Sequence, residues 1–363
     1  MKRILIAVGG VFLALFLAGG FFAYYLRRDF LRMGKMPTMP SDLRVARVVS
    51  GPNVFSKSRF YSEPDLGLIT DIQSQNRGLI IVGRLGAAFL AENGSFIKNV
   101  HFDKCDSDVV GVEVGAGAFL CRGTWSKGTM LFDSEGKTLW SYGGGMTGVD
   151  DAAAGFLHAG GSQQVVIGLN GGGGVHLLSS DGKDIWKQDD GNVWRVGIAA
   201  ADEKSGSVIL HSNARGQLTL RDASGNILAR YTPEIYLAHF SLSPWKNDPH
   251  PNKLVAAEEV SVYVLGMDGK TLARLPAPGN AGIAEPKGTP VQFTQGGPDY
   301  AVLLRHSLWS RSLLYVYDAE DNLIYNEILD RDCAALRPVP AQGGAEDLLL
   351  GCDGFVEKYS LNR

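Results

Sequence analysis

Apolar and polar residues alternate along this chain in short bursts, and the bursts recur. From Met130 to Trp140 the order is Met-Leu-Phe-Asp-Ser-Glu-Gly-Lys-Thr-Leu-Trp, an apolar stretch, a polar turn and a second apolar stretch. This predicts a β-hairpin: the turn glycine supplies the positive φ of a tight reversal, and the alternation marks half-buried strands. Registering the chain on that glycine aligns Gly94, Gly136, Gly182, Gly225 and Gly269, with Asp321 in the same place in the next copy. Seven and five residues earlier lie pairs such as Thr129 and Leu131, Val175 and Leu177, and Val262 and Val264. Three residues later lie Ile97, Leu139, Ile185, Leu228, Leu272 and Ile324. A period-two pattern held across these copies identifies a repeated supersecondary unit.

Each hairpin follows a short run that is apolar on both faces, as at Leu79 to Val82, Val165 to Ile167 and Ala301 to Leu304, and the last such run is Leu348 to Leu350. A strand sandwiched between neighbours needs this character. Units of roughly 45 residues holding three or four short strands are propeller blades. The expected fold is an all-β, seven-bladed β-propeller over residues 43–363. The C-terminal copy, Phe355 to Leu361, stops before its outer strand, and Leu43 to Val49 is a strand with no local partner. That segment is expected to complete the seventh blade and close the ring, removing the open edge that invites aggregation.

The first 26 residues break the pattern. Ile4 to Leu26 carry no charge, with Lys2 and Arg3 before and Arg27 and Arg28 after, which suits an N-terminal transmembrane helix acting as a signal anchor. A cleaved signal peptide is the other reading, with Ala18 and Gly20 as its small residues. Residues 27–42, with Pro37 and Pro40, read as a stiff linker. The positive charges alone favour a cytoplasmic propeller. The cysteines favour an extracytoplasmic, periplasmic one, because Cys105 with Cys121 and Cys333 with Cys352 bracket equivalent strand pairs as disulfides would. Four separate buried thiols are the plainer alternative.

Composition changes this picture little. A net charge of −3 gives no reason to expect nucleic acid, and the 46 glycines suit a chain that turns often. The glycine run Gly171 to Gly174 has no helix pattern after it and reads as a turn rather than a phosphate cradle. No cysteine or histidine spacing suggests a metal site, and no nucleophile elbow or carboxylate pair is evident. Charge placement is more informative. Arg84, Arg122, Trp125, Lys127, Arg215, Arg305, His306, Trp309 and Arg311 fall on loops of one propeller face, where Lys57, Arg59, Phe60 and Tyr61 would extend them. Glu92, Asp133, Glu135, Asp181, Asp222, Asp268, Asp318 and Glu320 fall on the turns of the other. Arginine and tryptophan are enriched at binding hot spots, so the first face is the candidate recognition surface for a protein or an anionic ligand. Ordinary solvated loop charges would give the same listing.

With Asp133, Gly136, Lys137 and Trp140 in one copy and Asp181, Gly182, Lys183 and Trp186 in the next, the turns resemble the tryptophan-docking repeats of PQQ-like, or quinoprotein-like, propellers. Ala229, Ala273 and Tyr325 hold the tryptophan position elsewhere. The resemblance implies a tryptophan packed between blades. It implies a quinone and calcium only for members with adjacent cysteines and an acidic metal cluster, which this chain lacks. The expected function is a non-enzymatic binding or scaffold module without cofactor or metal. A quinone-dependent oxidoreductase, or a carbohydrate-binding propeller using Trp125, Trp194, Trp245 and Trp309, are the alternatives.

Overall fold

A computed structural model describes residues 10, 12–24 and 54–362, apart from 76–77, 92–93, 104, 106, 125–127, 144–146, 159, 203–205, 281–283, 294–296 and 307–309. Among the described residues the chain builds seven four-stranded antiparallel sheets, each ordered from an innermost strand outward. The first blade runs Ile69–Gln75, Gly78–Gly83, Gly86–Ala91 and Phe96–His101. The second strand of each blade is the run expected to be apolar on both faces: Ile81, Val165, Ile167 and Leu304 have no exposed surface. The innermost strands surround a central channel, and the cores lie between neighbouring blades.

The ring closes as anticipated but with a different segment. Leu43 to Val49 lies outside the described residues, and the outermost position of the seventh blade is filled by Phe55–Ser62. This strand runs antiparallel to Phe355–Leu361, with Phe55 opposite Leu361 and Ser62 opposite Phe355. Phe55 is buried among Phe293, Tyr325 and Tyr359, at ring separations of 4.8, 4.9 and 6.2 Å. The rest of the strand is largely exposed, so it lacks the full alternation that drew attention to Leu43–Val49. Lys57, Arg59, Phe60 and Tyr61 therefore sit in the closing strand, not on a crossing. Lys57 pairs with Glu327 at 2.5 Å, and the Arg59 guanidinium lies 3.5 Å from the Phe355 ring centre.

The turn pattern has a direct structural cause. Asp133, Asp222 and Asp318 each accept two backbone N–H bonds from their own turns, at 2.8 to 3.1 Å, which holds the reversal in place. Asp321, standing where other copies have glycine, adopts φ +69°. The turn also receives the previous blade. The Trp140 indole N–H donates to Ser180 O at 3.0 Å, and Trp186 does the same to Ala223 O at 2.9 Å. Gly182 has φ +79°, and a Cβ there would lie 2.7 Å from the Trp140 ring, so this position needs glycine for shape and for space.

Both disulfides are present, Cys105 to Cys121 and Cys333 to Cys352. Cys333 and Cys352 face each other across paired strands. Cys105 reaches Cys121 from the crossing before the second blade, while Val109 is the paired residue opposite Cys121. Residues 12–24 are helical and expose Phe12, Phe16 and Phe22. Among the described residues no helix is long and apolar enough to cross a membrane.

Candidate functional site

At one end of the channel the starts of the innermost strands meet the ends of the second strands around a cavity of about 570 Å³. A recurring irregularity shapes it. The innermost strands of blades one, three, four and seven each carry a bulge near the start, where Thr70, Asp150, Trp194 and Ala334 are the extra residues. A bulge re-aims side chains that regular pairing would send into the blade. Asp150, Trp194 and Ala334 all line the cavity.

Ion pairs run in a chain around this mouth. Arg84 meets Asp108 at 2.7 Å, Asp108 meets Arg305 at 3.0 Å, and Arg305 meets Glu285 at 3.1 Å. Glu285 continues to Arg195 at 3.1 Å, Arg195 to Asp151 at 3.7 Å, and Asp151 to Arg122 at 2.7 Å. Arg305 also holds Asp332 at 2.9 Å. Asp151 is 1% exposed and Arg305 5%, so these two charges rest on their partners, whereas Arg84 and Glu285, about a third exposed, keep contact with water. Lys287 donates to Thr70 O at 2.6 Å.

The protonation equilibria follow from this packing. Burial works against the Asp108 carboxylate, but Arg305 and Arg84 outweigh it and hold its pKa well below the usual range. Glu285 is lowered too, Arg195 overcoming burial. Burial lowers Lys287 despite Asp71 and Asp108, and burial raises Asp150. His239 is lowered to about 4 by burial and then by the charge of Arg195, so its imidazole is neutral at neutral pH.

The residues named from sequence separate into four groups. Arg84, Arg122 and Arg305 come together at the cavity, but as members of the ion-pair chain and not as free cations. Arg215 is exposed on a loop outside the cavity lining, and Arg311 pairs with Asp330 at 3.0 Å. His306 is 4% exposed, its pKa lowered to about 4 by burial, and it does not present a binding surface. Trp125, Lys127 and Trp309 lie outside the described residues, as does Glu92. Of the tryptophans considered for sugar binding, Trp194 lines the cavity, whereas Trp245 is core, with its ring 4.5 Å from Tyr300.

Sequence reasoning missed Asp108, Asp151, Arg195, His239 and Glu285. The available signal was adjacent polar residues at the start of otherwise apolar strands, Val149-Asp150-Asp151 and Val193-Trp194-Arg195. Among the described residues no cluster of three or more His, Cys, Asp or Glu could hold a metal ion, and the four cysteines form two bridges between distant residues.

No family model matches this chain, and no curated protein matches it. Solved structures do. BBS1N, crystallised in complex with ARL6DN, superimposes with a TM-score of 0.57 at 11% identity, covering 87% of this chain and 98% of the other. The WD40 domain of Neurospora crassa Pan2 gives a TM-score of 0.53 at 12% identity with the same coverage. At this identity the likeness establishes the fold: the chain is a seven-bladed β-propeller.

Proposed function

We propose that this protein is a membrane-tethered, extracytoplasmic propeller that binds a protein partner through the channel-mouth face and performs no chemistry of its own. The observation that carries this reading is the mouth network. Its arginines are committed to Asp108, Asp151, Glu285 and Asp332, which fixes the shape of a surface suited to recognition. BBS1N, a propeller of similar fold, was crystallised with a protein partner, which agrees with such a role. The indole contacts of Trp140 and Trp186 support kinship with the non-catalytic members of the PQQ-like group.

Two further observations support the placement. Disulfides persist in oxidising compartments, which favours the extracytoplasmic side. The apolar stretch Ile4 to Leu26 serves as anchor in this reading. The closing strand begins at Phe55 on the turn side, opposite Leu361, which agrees with a tether entering on that side and leaving the mouth free for a partner.

Photocrosslinking in intact membranes tests this. A photoreactive residue replacing Arg215 or Tyr236, both exposed on mouth-side connections, is expected to capture one partner of constant mass. The same group at Ser224, in an outer turn, is expected to capture none. Equal capture from both faces, or capture only from Ser224, would overturn the reading.

A further inference from the structure

We infer that the cavity at the channel mouth is a binding site for a neutral saccharide, with the indole of Trp194 as its platform. The inference shares with the proposed function only the choice of binding face. Charge is the first argument. The cavity presents five cations, Arg84, Arg122, Arg195, Lys287 and Arg305, against four carboxylates, Asp108, Asp150, Asp151 and Glu285. Asp332, held by Arg305 from outside the lining, makes it five against five. Each arginine is already matched by a carboxylate and Lys287 is held by Thr70 O, so an anionic ligand would have to compete with those contacts, and the near balance of charge favours a ligand without net charge.

The second argument is what remains unsatisfied. Asn192 Oδ1, His239 Nδ1 and Ser241 Oγ are buried without a hydrogen-bond partner, and all three residues line this cavity on the side of blades four and five. Already shut off from water, each of these atoms carries a cost of about 1–3 kcal/mol as long as it lacks a partner, and small side-chain rotations would turn them toward a ligand in the cavity. A ligand rich in hydroxyls, each both donor and acceptor, answers all three. Because His239 is neutral at neutral pH, this corner adds hydrogen-bonding capacity without adding charge.

The third argument is the ring. Trp194 is the extra residue of its bulge, half-buried, with His239 alongside at 5.8 Å and Tyr236 edge-on at 6.5 Å. A pyranose has an apolar C–H face that lies on an indole and a rim of hydroxyls that reach the surrounding polar groups. The cavity volume lies within the roughly 300–1,000 Å³ of small-molecule sites.

The full chain, purified in a polyoxyethylene detergent that carries no sugar, would be screened against a broad array of neutral glycans, with hits measured by calorimetry and tryptophan fluorescence. Trigalacturonate, inorganic phosphate and calcium with pyrroloquinoline quinone serve as charged probes. At least one neutral glycan is expected to bind. Trp194→Ala should weaken it at least tenfold, Ser241→Ala and Asn192→Ala several-fold, and Trp194→Phe should restore part of the loss. Far-UV circular dichroism checks that each variant keeps the propeller, and Ser241→Ala decides if Trp194→Ala fails to fold. No neutral glycan binding at millimolar concentration, binding indifferent to Trp194 and Ser241, or binding of the charged probes in place of the neutral ones would overturn the inference. Crosslinking at Arg215 and Tyr236 without glycan reads the partner surface separately, so either idea can fail while the other stands.

Discussion

The two ends of this propeller are built on opposite principles. At the turn end the blades repeat: Asp133, Asp222 and Asp318 make the same pair of backbone hydrogen bonds, and Trp140 and Trp186 dock on the next blade in the same way. At the mouth four blades share the bulge, but the side chains they present differ. Asp108, Asp150, Trp194, His239, Glu285 and Ala334 stand near the starts of successive innermost strands. Both disulfides belong to this end as well, with Cys121 beside Arg122 and Cys333 beside Ala334. Repetition specifies the fold. The proposed binding face lies where repetition is abandoned and buried polar groups need individual partners.

The contrast is broken most severely at Asp151. It accepts both guanidinium bonds of Arg122 and the backbone N–H of Val196, and it pairs with Arg195. Asp151→Ala leaves two arginines short of their counter-charge in a buried setting, so a loss of about 3–5 kcal/mol is expected from urea unfolding. A loss below 1 kcal/mol would mean that water replaces the carboxylate, and the mouth could not be the rigid frame described here.

Next comes the pair Cys333→Ala and Cys352→Ala, made together. The bridged residues are 19 apart, and the loop-entropy relation gives about 3 kcal/mol. The expected readout is a lowered urea midpoint in the non-reduced protein. Once the bridges of the parent chain are reduced, the gap should narrow.

Acid should then act on the mouth before the turns. His239 and His306 have folded values of about 4 against an ordinary 6.5. Between those values the unfolded chain binds protons that the folded one excludes, so stability is complete above about pH 6.5 and declines as pH falls toward 4. Each histidine accounts for about 2 kcal/mol by pH 5. His239→Gln and His306→Gln should each flatten the fall in urea midpoint between pH 7 and pH 5, and an unchanged slope in both would remove these groups as its cause. The lowered Asp108 contributes only further down, as pH drops below its unfolded value near 3.8.

How far the sequence reaches follows from the same division. Gly136, Gly182 and Asp321 could be aligned because a hairpin turn imposes one local backbone geometry wherever it occurs; that alignment registered six copies, and the apolar run Leu348 to Leu350 supplied the seventh. The apolar slot three residues after the turn was equally regular, yet Ile97, Leu139, Ile185, Leu228 and Leu272 are exposed on the outer strands, where alternation persists without burial. The closing strand went to the wrong segment because a strand pinned by one residue, Phe55, has little periodicity to read. The face carrying Arg84, Arg122 and Arg305 was found from loop position, but their partners Asp108, Asp151 and Glu285 were not. Asp108 and Arg305 are 197 residues apart, and no spacing rule spans that distance.

The smallest effect gives the sharpest comparison. Asp133→Ala, Asp222→Ala and Asp318→Ala each remove the one carboxylate oxygen that accepts from two backbone N–H groups, and water can reach those groups, so each should cost about 1 kcal/mol. Since the three turns have one geometry and lie on separate blades, the costs should agree within about 0.5 kcal/mol and should add in the triple variant. The mouth should behave in the opposite way. Asp151→Ala combined with Arg122→Ala should cost less than the sum of the two, because the second change removes the charge that the first left stranded. If the turns coupled and the mouth pair added, the division between a repeated frame and a singular site would be in the wrong place. Urea midpoints of the single, double and triple variants decide it.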